Sequence, residues 1–160
     1  EFFDPTDKLG ADKPNPKSHV AYGFATHVVV LDDEGKVKEV WAAHDSGKVV
    51  NPTSIQGQIE GGVLMGLGYA LTEDFPLKDC VPTAKFGTLG LMRADQIPDI
   101  HAVYVEKEEL LPFAYGAKGI GEIATIPTAP AVQGAYYAMD HVLRPSLPME
   151  NTYYRKPKKG

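Results

Sequence analysis

An α+β fold is predicted for this chain: a β-hairpin and further strands packed with a glycine-rich helix and a C-terminal helix. Three observations predict it. "VAYGFATHVVVL" and "KVKEVWAAH" flank the turn sequence "DDEG". "NPTSIQGQIEGGVLMGLGYAL" repeats apolar residues every four positions, and "TAPAVQGAYYAMDHVL" carries Ala129, Val132, Tyr136 and Met139 at helical spacing near the end. At 160 residues and 43% hydrophobic, the chain has the size and apolar content for one core.

The first arm, Val20 to Leu31, is rich in β-branched and aromatic residues, and the second resumes at Val37. Its alternation is imperfect. Val37, Glu39, Trp41 and Ala43 share one face and Lys38, Val40, Ala42 and His44 the other, so at least one face is expected to be covered.

Asn51 is a good helix N-cap and Pro52 suits the first helical position. Ile55, Ile59, Val63, Leu67 and Leu71 then make one stripe, which predicts a helix from Pro52 to Leu71. Gly57, Gly61, Gly62, Gly66 and Gly68 oppose it, each costing about 1 kcal/mol relative to alanine. Small residues at four-residue spacing allow close approach, and either a packed neighbour or a flat ligand explains them. "PLKDCVPTAKFGTLG" reads mostly as loop with a short strand and "HAVYVEKEEL" as a further strand; a last helix is expected from about Ala129, with Thr128 as a candidate cap.

The net charge of -5 disfavours a surface for nucleic acid. No apolar run approaches the roughly 20 residues that span a bilayer, so no membrane role is expected. The single Cys80 permits neither an intrachain disulfide nor a cysteine-built metal cluster, which fits a reducing, cytoplasmic setting. The five histidines lack metal-ligand spacing, and no metal ligand is assigned. His44 beside Asp45 reads as a hydrogen-bonded pair or as an ordinary turn.

The chemistry-bearing segment is "GAKGIGEIATIPTAPA". No charged side chain follows Glu122 until Asp140, and shelter among those residues would make its carboxylate a proton acceptor or donor near neutral pH. An ordinary ion pair with Lys118, four residues earlier, is the alternative. Gly116, Gly119 and Gly121 offer backbone N–H groups or room for a ring, and Gln58 offers an amide among glycines.

"HDSGKVVNPTSIQGQIEGGVLMGLGYALTEDF" resembles the stretch of molybdenum hydroxylases that carries NP, a few residues, GQIEG and a glycine-rich helix. "GAKGIGE" resembles their C-terminal active-site segment. The resemblance extends to "TAKFGTLGLMRADQIPDI" and "LPMENTYYRKP", which look most like the molybdopterin-binding subunit of bacterial xanthine or hypoxanthine dehydrogenases, including those called selenium-dependent. Aldehyde oxidoreductases and nicotinate dehydrogenases are nearby relatives.

The resemblance implies that Glu122 is the general base, deprotonating a molybdenum-bound hydroxide that attacks an electron-poor carbon while hydride passes to a terminal sulfido or selenido ligand. By the same likeness Gln58 hydrogen-bonds the pterin, Gly57 lets it sit close, and Gly119 and Gly121 line the metal site. The implied cofactor is molybdopterin, with the cytosine dinucleotide form as one candidate; 2Fe-2S and FAD belong to other domains or subunits. Implied partners are the N-terminal part of the molybdenum subunit, the iron-sulfur and FAD units, and a purine or other heterocyclic substrate. An aldehyde or nicotinate-like substrate is the alternative, as is a non-catalytic binding or assembly domain for the chain in isolation. Residues 1–19 then read as a linker from a missing N-terminal region, 20–150 as the molybdopterin-binding C-terminal domain and 151–160 as a frayed tail.

Overall fold

The computed structural model describes Asp7 and residues 11–16, 23–85, 87–106 and 114–156. Most of the expected linker over 1–19, the start of the first arm and the last four residues of the tail lie outside them. The order is β1 (Phe24–Leu31), β2 (Val37–Asp45), α1 (Pro52–Leu71), β3 (Leu77–Lys78), β4 (Val81–Pro82), β5 (Asp99–Val105) and α2 (Thr128–Asp140), with short 3-10 turns at Ala94–Gln96 and Ala114–Gly116.

β1 and β2 form the expected hairpin, and β5 joins β2 in parallel to give a sheet of order β1-β2-β5. The imperfect alternation of β2 has a simple cause. Val30 faces Glu39 but Leu31 faces Val37, so Lys38 is an extra residue and a bulge carries Val37 to the side of Val40, Ala42 and His44. All four are buried. The opposite side keeps Val28, Trp41 and Val103 exposed, with Trp41 stacked on His101 at 4.1 Å between ring centroids.

α1 spans the predicted residues. The Asn51 side chain accepts the Ser54 N–H at 3.0 Å, and Pro52 opens the helix. Ile55, Ile59, Val63, Leu67 and Leu71 are all buried, and each such side chain contributes about 1.5–3 kcal/mol, enough for a few to offset the glycine cost. α2 packs on α1 and β1. It starts at Thr128, with Pro127 in the cap position and no side-chain cap; Thr128 is not the cap because its hydroxyl is turned into the core. "PLKDCVP" holds a small hairpin of two-residue strands, β3 with β4, in the stretch that reads as mostly loop with a short strand. The tail is fastened rather than frayed through Arg155: the Tyr154 hydroxyl accepts the Val37 N–H at 3.0 Å, and Arg155 donates to Asp74 at 2.6 Å.

The glycines of α1 divide into two faces. A Cβ at Gly62 would overlap that of Ala124 and sit 2.8 Å from its carbonyl carbon; one at Gly66 would sit 2.5 Å from Thr128 Cβ. At Gly57 and Gly61 a Cβ would meet nothing within 4 Å. Gly62→Ala is therefore expected to destabilise the fold by about 1–3 kcal/mol through overpacking. Gly61→Ala should be neutral or stabilising by up to about 1 kcal/mol. Chemical denaturation of the two variants checks the contrast.

Candidate functional site

The contacts Gly62–Ala124 and Gly66–Thr128 advance together along both segments, so α1 and residues 124–128 run in the same direction. Gln58 lies one turn before Gly62, and Glu122 two residues before Ala124. Both leave the contact at the same end. On the helix Gln58 stands between the packed face of Gly62 and the open face of Gly57 and Gly61. That open face forms one wall of a cleft of about 400 Å³, whose other wall is Ile97, Pro98, Asp99 and Ile100.

The structure leaves Gln58, Gly121 and Glu122 at that one end, and all three are exposed, as are Gly57 and Gly119. The expected shelter of Glu122 is therefore not supplied by the described residues. The two residues that follow it turn inward, Ala124 buried on Gly62 and Ile123 over Gly23, while Glu122, near the start of a run of turns over 121–127, and Ile126 are exposed. Nor does it pair with Lys118 on a helix. Lys118 Nζ instead lies 2.7 Å from Asp45 Oδ2, with both side chains almost fully buried.

That ion pair settles the neighbourhood of Asp45, and His44 is engaged elsewhere. His44 Nε2 lies 2.8 Å from His27 Nε2, and His27 Nδ1 lies 3.1 Å from Thr128 Oγ1. One ring must donate and the other accept, so the bond between them is lost once both rings are protonated. Burial and the neighbouring His44 push the His27 pKa down to about 4, and burial lowers that of His44. Among the described residues no group of three potential ligands can hold a metal ion. Neither the His27–His44 pair nor the Asp45–Lys118 pair is foreseeable from the sequence, because partners 17 and 73 residues apart leave no local spacing signal.

The exposed amide of Gln58 and the unfilled space over Gly57 and Gly121 fit a planar ligand that accepts and donates hydrogen bonds. Comparison with known proteins points the same way. A family model described as molybdopterin cofactor-binding domain matches residues 1–98. Isoquinoline 1-oxidoreductase subunit beta of Brevundimonas diminuta is 29% identical over 85% of this chain and 17% of its own length. A probable xanthine dehydrogenase subunit from Bacillus subtilis (strain 168) is 33% identical over 74% of this chain and 17% of its own. Quinoline 2-oxidoreductase from Pseudomonas putida 86 superposes with a TM-score of 0.64 at 28% identity, over 71% of this chain and 15% of that one.

The chain belongs to the molybdopterin cofactor-binding domain family, found in the molybdenum-binding subunits of molybdenum hydroxylases. It spans about a sixth of the length of the curated relatives it matches. Among the described residues no helix is long and apolar enough to cross a membrane.

The histidine pair makes stability pH-dependent. Its folded pKa lies below the ordinary 6.5, so the unfolded chain takes up protons first. The contribution of His27 is complete above about 6.5 and is lost as pH falls toward about 4. His27→Gln should flatten that limb of the denaturation midpoint against pH; a limb unchanged in the variant would assign it to other groups.

Proposed function

We propose that this chain is the part of a molybdenum hydroxylase that supplies the proton acceptor and one wall of the molybdopterin pocket. The observation that carries the reading is the same-direction contact of α1 with residues 124–128, which leaves Gln58 and Glu122 at one end of it. In this reading Gln58 holds the pterin through its side-chain amide, and Gly57 admits the ring system to the helix backbone. Gly119 and Gly121 line the space near the metal. The molybdenum cofactor, when bound, supplies the two-electron oxidant. Glu122 takes up, at a carboxylate oxygen, the proton released as water becomes the nucleophile.

The substrate proposed is a nitrogen heterocycle with an electron-poor ring carbon, a purine first among them. Relatives named for xanthine, isoquinoline and nicotine support that class. A relative named aldehyde oxidoreductase keeps an aldehyde as the second reading. Residues that orient the substrate and shelter Glu122 are assigned to the remainder of the molybdenum subunit. Iron-sulfur and flavin centres are assigned to other domains or subunits, since Cys80 alone cannot hold a cluster.

In the complete enzyme, Glu122→Gln should abolish nearly all turnover while molybdenum content stays at the wild-type level. Loss of metal with an intact fold would make Glu122 a cofactor-retention residue instead. Gln58→Ala should lower cofactor occupancy measured after gel filtration, and unchanged occupancy would remove Gln58 from the pterin site.

A further inference from the structure

Lys118 and Asp45 form an ion pair whose side chains are 3% and 8% exposed. Asp45 uses both oxygens: Oδ1 accepts the Gly47 N–H at 3.1 Å and Oδ2 the Lys118 ammonium at 2.7 Å. One carboxylate thus shapes the turn that ends β2 and holds the lysine. The main chains are joined at the same place. Lys118 N–H donates to the Ser46 carbonyl at 3.0 Å and Lys48 N–H to that of Gly116 at 2.9 Å. Gly47, at φ 59°, lets them meet, since a Cβ there would overlap the Gly116 oxygen. The Phe24 ring lies 5.9 Å from the ammonium.

A buried ion pair adds little net stability over apolar residues of equal volume, because desolvation offsets the attraction; removing one partner leaves a costly unpaired charge. The pair therefore accepts one geometry and penalises departures from it. Its place in the chain gives that geometry a use. Lys118 lies four residues before Glu122 and Ala124 two residues after it, while Gly119 and Gly121 between them leave the backbone conformationally free.

Resting on the reading of Glu122 given above, we infer that the Lys118–Asp45 pair is the positioning device for that carboxylate. It fixes the entry of the glycine-rich segment on the end of β2, as the Gly62–Ala124 contact fixes its exit on α1. Lys118 and Asp45 act through the backbone and touch no reacting atom.

The test uses the complete, cofactor-loaded enzyme with Lys118→Met, Asp45→Asn and the charge-conserving Lys118→Arg. The first two should lower kcat by about a hundredfold, the cost of a misplacement of about 1 Å. KM and molybdenum content should stay near wild type, and hydrogen exchange at the Lys48 and Lys118 amides should rise. Lys118→Arg should restore most of kcat and the slow exchange. Unchanged exchange, faster exchange with full kcat, or a raised KM at unaltered kcat would each overturn the inference. If the single variants fail to fold, the neutral double variant Asp45→Asn with Lys118→Gln is judged by the same readouts. Glu122→Gln separates the two ideas: its retained turnover sinks the reading of Glu122, whereas normal exchange and kcat in Lys118→Met sink only the positioning role.

Discussion

Two glycines of α1 let residues 124–128 approach the helix to within the space of a side chain, and the architecture follows from that approach. With any larger residue at 62 or 66 the turn segment would have to move outward. Thr128 would then leave its place beside His27, and α2 would lose its seat on α1 and β1. The contact also fixes how the glycine-rich segment meets the helix. Its cost is a helix with five glycines and weakened intrinsic propensity, offset by an apolar stripe buried along the whole length.

The elements governed by local rules were legible in the sequence. Asn51 and Pro52 mark the start of α1, the four-residue repeat marks its buried stripe, and "DDEG" marks the hairpin. Local patterns failed where tertiary partners decide. Val37 counts on the wrong face until the bulge at Lys38 is known. Lys118 stands four residues before Glu122, the spacing of a helix-face pair, yet residues 117–120 are not helical and Asp45 claims the lysine. Thr128 looks like a cap but spends its hydroxyl on a buried histidine.

The most instructive difference concerns Glu122. A run of uncharged residues after a carboxylate suggests a sheltered acid, but side chains in a turn segment do not share one direction. Ile123 and Ala124 face inward and Glu122 faces out. In the proposed reading, shelter from water comes from the assembled pocket rather than from this segment, in keeping with a chain that spans about a sixth of its curated relatives. The open side of the sheet, with Val28, Trp41 and Val103 exposed, shows the same incompleteness of cover within the described residues.

The central claim is that one helix and one turn segment present an amide and a carboxylate to a single pocket. An experimental structure of the complete molybdenum subunit with its cofactor bound tests it most directly. The account predicts the Gln58 amide in hydrogen-bond contact with the pterin and the Glu122 carboxylate facing the metal, shielded from bulk water. Glu122 on an open surface, or Gln58 and Glu122 turned toward separate cavities, would contradict it.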